Sequence, residues 1–172
     1  ALHGGPFADR APAMPMEIER KFLLAGDGWK AGVVETLVLR DGLLARFGEG
    51  KVRVRHGGDR AWITVKGPRD GISRAEFEYE IPVAEAEEIF SLCGMPHVEK
   101  VRHIVPYEGL TWAIDIHQGA LSGIEFAEVE LDYPEQPIPM PPWAGEEITH
   151  DPQYRKATLL NRNAELLRGR SQ

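Results

Sequence analysis

The feature that most constrains this chain is a set of short segments in which charged and apolar residues alternate. The first is "MEIERKFLL", Met16 to Leu24. Side chains two apart on a strand share a face. One face therefore carries Glu17, Glu19 and Lys21, and the other carries Ile18, Arg20 and Phe22. The pattern returns in "KVRVRHGGDRAWITVKG", two alternating runs joined by "HGGD", which predicts a hairpin. Its inward candidates are Lys51, Arg53 and Arg55, then Trp62, Thr64 and Lys66.

The rest of the chain extends the same theme. "VVETLVLRDGLLARF" reads as a strand interrupted near Gly42. "RAEFEYEIP" places Arg74, Glu76, Glu78 and Glu80 on one face. "VAEAEEIFSLCG" predicts a helix stopped by Gly94. "VEKVRHIVPY" and "LTWAIDIHQG" set Lys100 and Arg102 on one face, and Ala113, Asp115 and His117 on another. "GIEFAEVELDYP" puts Phe126, Glu128 and Glu130 together. "PEQPIPMPPWAGEE" is rich in proline and reads as a loop. "DPQYRKATLLNRNAELLRG" predicts a C-terminal helix with Asp151 as N-cap and Pro152 at its first position. About eight strands with few crossover helices favour an antiparallel sheet in an α+β fold.

Composition narrows the function classes. The formal net charge is −7, which argues against a passive nucleic-acid binder, although positive charge gathered in a cleft can still bind anions. Cys93 is the single cysteine, so no intrachain disulfide or cysteine zinc cluster can form, as fits a reducing cytoplasm. No apolar run is long enough for a membrane-spanning helix. Residues 1–15 lack the marks of a signal peptide and read as a flexible leader or tag remnant. A single domain is expected over 16–168, with a tail over 169–172.

On any one strand a charged face means a solvated face of a half-buried sheet. Here the charges are sorted. The basic set is Lys21, Arg53, Arg55, Lys66, Arg74, Lys100 and Arg102. The acidic set is Glu17, Glu19, Glu76, Glu78, Glu80, Asp115, Glu128 and Glu130. If the sheet closes, one set of faces lines a lumen, which must stay wet, pair its charges or bind a charged ligand. Bases that hold phosphate oxygens, together with acids that hold a hard divalent cation, would suit a polyanion. The solvated-face reading stays open at this point.

In this order, "EIERK", "KVRVR", "WITVKG", "SRAEFEYEIP", "VEKVRHIV", "WAIDIHQG", "AEVEL" and "PPWAGEEITHDPQY" resemble the CYTH domain of the triphosphate tunnel metalloenzymes. Its Glu-x-Glu-x-Lys signature falls on Glu17, Glu19 and Lys21. The resemblance runs from about Met16 to Leu160 and is greatest to short bacterial-type inorganic triphosphatases. It implies an eight-stranded antiparallel β-barrel forming a tunnel, with a few flanking helices and a C-terminal helix. No accessory helical CHAD domain is expected in this chain. Where the family often carries Gln-Gly-Tyr-Leu, this chain has "DGLL", with Asp41 for Gln and Leu43 for Tyr.

The resemblance implies hydrolysis of inorganic tripolyphosphate to pyrophosphate and phosphate with Mg²⁺ or Mn²⁺. It assigns the metal to Glu17, Glu19, Glu128 and Glu130, with Asp115 as a further acid. Arg53, Arg55, Lys66, Arg74, Lys100 and Arg102 would bind substrate, and Lys21 and Glu78 would act in catalysis, Glu78 by orienting a water. Thiamine triphosphatase, adenylyl cyclase and a non-catalytic polyphosphate- or nucleotide-binding module are the alternatives. The expected partner is a small polyanion, either tripolyphosphate or a nucleoside triphosphate. No membrane or nucleic-acid partner is expected, and a homodimer is allowed.

Overall fold

The structure is a computed structural model that describes residues 15–94 and 96–169. The expected leader, save Pro15, and the expected tail beyond Gly169 lie outside the described residues. Strands β1 (Met16–Leu24), β2 (Glu35–Phe47), β3 (Gly50–Gly57), β4 (Arg60–Lys66) and β5 (Ser73–Ile81) precede helix α1 (Val83–Leu92). Strands β6 (Val98–Tyr107), β7 (Leu110–Gln118), β8 (Glu125–Glu130) and β9 (Ala144–Glu147) follow, and helix α2 (Lys156–Gly169) comes last.

Every strand pairing is antiparallel, in the order β5-β4-β3-β2-β6-β7-β8-β1-β9. The pairing of β1 with β5 closes eight strands into a barrel, and β9 adds to β1 outside that ring. Closure removes the free edges that an open sheet would expose. The β3–β4 hairpin turns at Gly58, whose φ of 63° suits a residue without Cβ.

Because the strands alternate, closure sorts the whole sequence into inside and outside. The apolar residues lie mainly outside the ring. Phe22, Val105, Trp112, Ile114, Ala127 and Val129 form one buried cluster with Trp29 and Trp143, which reach in from the segments beside the barrel. A second cluster joins Val54 and Ala61 on β3 and β4 to Ala86 and Phe90 of α1. The third stops one end of the lumen: Leu159 and Leu160 of α2 pack with Val98, Leu121, Phe126 and Ile148. There His117 lies edge-on to Phe126 at 5.4 Å between ring centroids. Its Nδ1 lies 2.9 Å from the Ile124 carbonyl oxygen.

Three sequence expectations change. Gly42 does not interrupt its strand: β2 runs through it with a register shift between Leu43 and Ala45. Glycine is needed there because a Cβ would stand 2.8 Å from Cys93 Sγ and 2.9 Å from Phe90 Cδ1, where α1 crosses the strand. Within the proline-rich loop, Ala144–Glu147 is strand β9, held on β1 opposite Phe22 and Leu24. Asp151 does not cap the C-terminal helix. Its side chain accepts from the Gln153 N–H of a 3₁₀ turn over Pro152–Tyr154, and α2 begins at Lys156. No described helix is long and apolar enough to cross a membrane.

Two outcomes follow from this packing. Gly42→Ala should overpack the α1–β2 contact and destabilise the protein by about 1–3 kcal/mol, read as a lower urea midpoint at unchanged slope. His117 titrates between an unfolded value of 6.5 and a folded value lowered to about 4, chiefly by burial and then by Lys156 and Lys100. The unfolded chain thus binds the proton more readily, so this contribution is full above pH 6.5 and is lost as pH falls towards 4. His117→Phe should flatten the stability–pH curve in that window, measured by urea titration at several pH values.

Candidate functional site: the charged lumen

The inward faces assemble three linked groups of ion pairs. The first is built on β1, β4 and β5. Lys66 Nζ lies 2.6 Å from Glu17 Oε1 and 3.0 Å from Glu76 Oε2. Arg74 Nε donates to the other Glu17 oxygen at 2.6 Å. Burial would raise the Glu17 carboxyl, but Lys66 and Arg74 outweigh it and hold it well below the usual carboxylate range. Glu76, pushed up by burial and by its neighbour Glu17, shares the same lysine.

The second group joins β6, β7, β8 and β1. Arg102 donates to both Asp115 oxygens at 2.7 Å and to Glu128 Oε2 at 2.9 Å. Lys100 donates to Asp115, and Lys21 sits 3.0 Å from Glu128 Oε1. Asp115 is fully buried, and Lys100 is 1% exposed. Burial would raise Asp115, yet Lys100 and Arg102 hold it down at about 2. Removing water from such charges costs several kcal/mol per ion, so burying Asp115 and Glu128 is tolerable only because each has close cationic partners.

The third group centres on Asp41 of β2. Arg55 grips it bidentately, at 2.7 and 2.9 Å, while Arg53 and Lys156 stand at 3.7 and 3.8 Å. Lys156 enters from the first residue of α2, so the helix that stops the lumen also contributes a charge to it. Burial lowers the Lys156 ammonium, against the pull of Asp41 and Glu128.

The acids expected to hold a metal divide into two kinds. Asp115 and Glu128 have both oxygens engaged by cations. Glu17 is also engaged on both oxygens, and Glu19 is engaged on one, by Arg69 at 2.8 Å. Glu130 lies directly opposite Glu19 across the β1–β8 ladder and has no salt-bridge partner among the described residues. Burial, and then Glu17 and Glu19, raise its carboxyl. No three acids among the described residues converge as a ready-made cation cage. The crowding of Glu130 by two carboxylates nevertheless fits a hard cation, whose charge would relieve that repulsion through oxygen donors.

Glu78 stands at the open side, with 44% of its side chain exposed, near Thr64 at 3.3 Å and Arg53 at 4.0 Å. Glu80 pairs with exposed Arg60 rather than with a lumen arginine. Three lumen charges lie outside the set of sequence candidates, Asp41, Arg69 and Lys156, and Lys51 is an inward candidate that the basic set omits. Lys51 continues the "KVRVR" alternation, and Asp41 keeps the parity of β2, so both are within reach of the strand pattern. Arg69 lies between strands and Lys156 at a helix start, where no period of two applies.

The CYTH domain model matches residues 15–162. An inorganic triphosphatase of Acetivibrio thermocellus is 41% identical over 148 residues, covering 86% of this chain and 94% of that protein. An inorganic triphosphatase of Nitrosomonas europaea is 35% identical over 149 residues, covering 83% and 95%. Among solved structures, that of an inorganic triphosphatase aligns with a TM-score of 0.61 at 32% identity, over 84% of this chain and 97% of the other. A closed barrel with a charged lumen, matched along nearly its whole length by these relatives, makes this chain a member of the CYTH domain family.

Proposed function

We propose that this protein is a divalent-metal-dependent triphosphatase that hydrolyses inorganic tripolyphosphate to pyrophosphate and orthophosphate. The observation that carries the reading is the lumen itself, where cations from five strands and α2 face a group of acids that includes Glu130, unpaired among the described residues. The relatives named as inorganic triphosphatases, similar over nearly their whole length, support that substrate. In the reaction, water oxygen bonds to the terminal phosphorus, the bridging P–O bond breaks, and pyrophosphate leaves with the electron pair.

Phosphoryl transfer asks a protein mainly for positioning and charge neutralisation. Arg53, Arg55, Lys66, Arg74, Lys100 and Arg102 supply the cationic wall for the phosphate oxygens. Glu19 and Glu130, with Glu17, would hold Mg²⁺ or Mn²⁺. A metal bound there would neutralise phosphate charge and lower the pKa of a bound water. Asp115 and Glu128 hold Lys100, Arg102 and Lys21 in place. Glu78, half-exposed and close to Arg53, would orient a water entering from solvent. In this reading Lys21 and Glu78 act in catalysis. A reducing cytoplasm suits a chain with one free thiol.

The test is a product assay with tripolyphosphate, ATP and thiamine triphosphate under Mg²⁺ and Mn²⁺. Orthophosphate and pyrophosphate from tripolyphosphate are expected, and cyclic AMP from ATP as the main product would reverse the reading. Glu19→Ala and Glu130→Gln should each lower kcat at least about a hundredfold, an estimate from the loss of an electrostatic group in a dry site. Both should melt no lower than wild type, because each removes a member of a like-charge group. Asp115→Ala should behave differently. It strands Lys100 and Arg102, so about 3–5 kcal/mol of stability should go with activity in a denaturant titration.

A further inference from the structure

Lys51 is a lumen lysine to which the proposed reaction gives no role. It lies on β3, on the face that carries Arg53 and Arg55, directly opposite Lys66 in the β3–β4 ladder. It is half-buried and has no acidic partner at salt-bridge distance among the described residues. Other cations of this wall are matched: Arg55 by Asp41, Lys66 and Arg74 by Glu17. A second group beside it is also unfinished, since the buried Nε–H of Arg53 has no hydrogen-bond partner among the described residues.

Leaving a half-buried ammonium among cations costs stability unless something supplies the countercharge. Its burial comes first, and then Lys156, Arg74, Lys66 and Arg53, in drawing the Lys51 ammonium down to about 7. A phosphoryl group supplies the negative charge and the acceptor oxygens that both donors lack, and hydrogen bonds from cations to phosphate are the strong kind.

We propose that Lys51 and the free Nε–H of Arg53 form an anion subsite that receives one phosphoryl group of the bound polyphosphate, with Lys51 setting affinity rather than rate. This rests on the triphosphatase reading. The subsite holds its ligand by supplying charge the lumen lacks elsewhere, so it acts on ground state and transition state alike.

The experiment compares wild type, Lys51→Met and Lys51→Arg. Tripolyphosphate binding is measured by calorimetry in chelator, with no divalent metal, and steady-state kinetics are measured with metal present. Lys51→Met should weaken tripolyphosphate binding about tenfold or more and raise KM similarly, with kcat changed less than about threefold. It should melt higher than wild type without ligand, because an unpaired charge has been removed. Lys51→Arg should keep near-wild-type affinity. Wild-type affinity in Lys51→Met, beside an active wild-type protein, overturns the subsite and leaves the triphosphatase reading standing. A loss of affinity that Lys51→Arg does not restore, or a lower melting temperature in Lys51→Met, overturns it too. A wild-type protein that neither binds nor cleaves tripolyphosphate overturns both.

Discussion

The ion pairs inside the barrel set the terms for everything around them. A closed ring of eight strands must put half of its side chains indoors, and here many of those are charged. Charges that leave water without partners would cost more than a domain of this size has to spare. The structure meets the cost by giving single acids several cations: Glu17 takes Lys66 and Arg74, Asp115 takes Lys100 and Arg102, and Asp41 takes Arg55 with Arg53 and Lys156 nearby. Each acid therefore joins two or three strands, and the pairs fix the closed geometry as well as the charge.

A lumen committed to ions cannot also serve as the main hydrophobic core. The apolar burial moves to the outer faces, which explains elements that otherwise look decorative. Helix α1 covers Val54 and Ala61 with Ala86 and Phe90. Trp29 and Trp143 reach over the outside of β1, β7 and β8, where Trp143 meets Trp112 edge-on at 5.3 Å. Arg20, out of place on an apolar face in the sequence, is placed by the same logic. It lies outside, over the Phe22 ring at 5.8 Å, and pairs with Glu147 of β9.

Most of this arrangement is legible in the strand period alone. Parity separates Glu17, Glu19 and Lys21 from Ile18, Arg20 and Phe22, and it does the same for β3 to β8. Closure is not legible from parity, because a solvated face and a lumen face have the same alternation; the resemblance of the ordered segments supplies it. Strand β9 stays hidden because four residues after a proline run carry too little pattern. Gly42 reads as a break because local propensity penalises glycine in a strand, whereas the close approach of Phe90 and Cys93 requires it. Lys156 reaches the lumen through the docking of α2, a tertiary fact with no local signal.

The pairing around the wall is also uneven, and the unevenness has a direction. From β8 through β1, β5 and β4 to β3, the ladder partners run from Glu130 beside Glu19, through Glu17 beside Arg74 and Glu76 beside Lys66, to Lys66 beside Lys51. Acid meets acid at one end, and base meets base at the other. The middle is neutralised by Lys66, which contacts Glu17 and Glu76. A random solvated surface would have no reason to segregate its leftover charge in this way. A polyanion bound together with a cation would complete both ends at once, the cation against Glu130 and Glu19 and a phosphoryl group against Lys51. Lys66 would then stand between the two unfinished charges, so any ligand that spans them must also contend with its hold on Glu17.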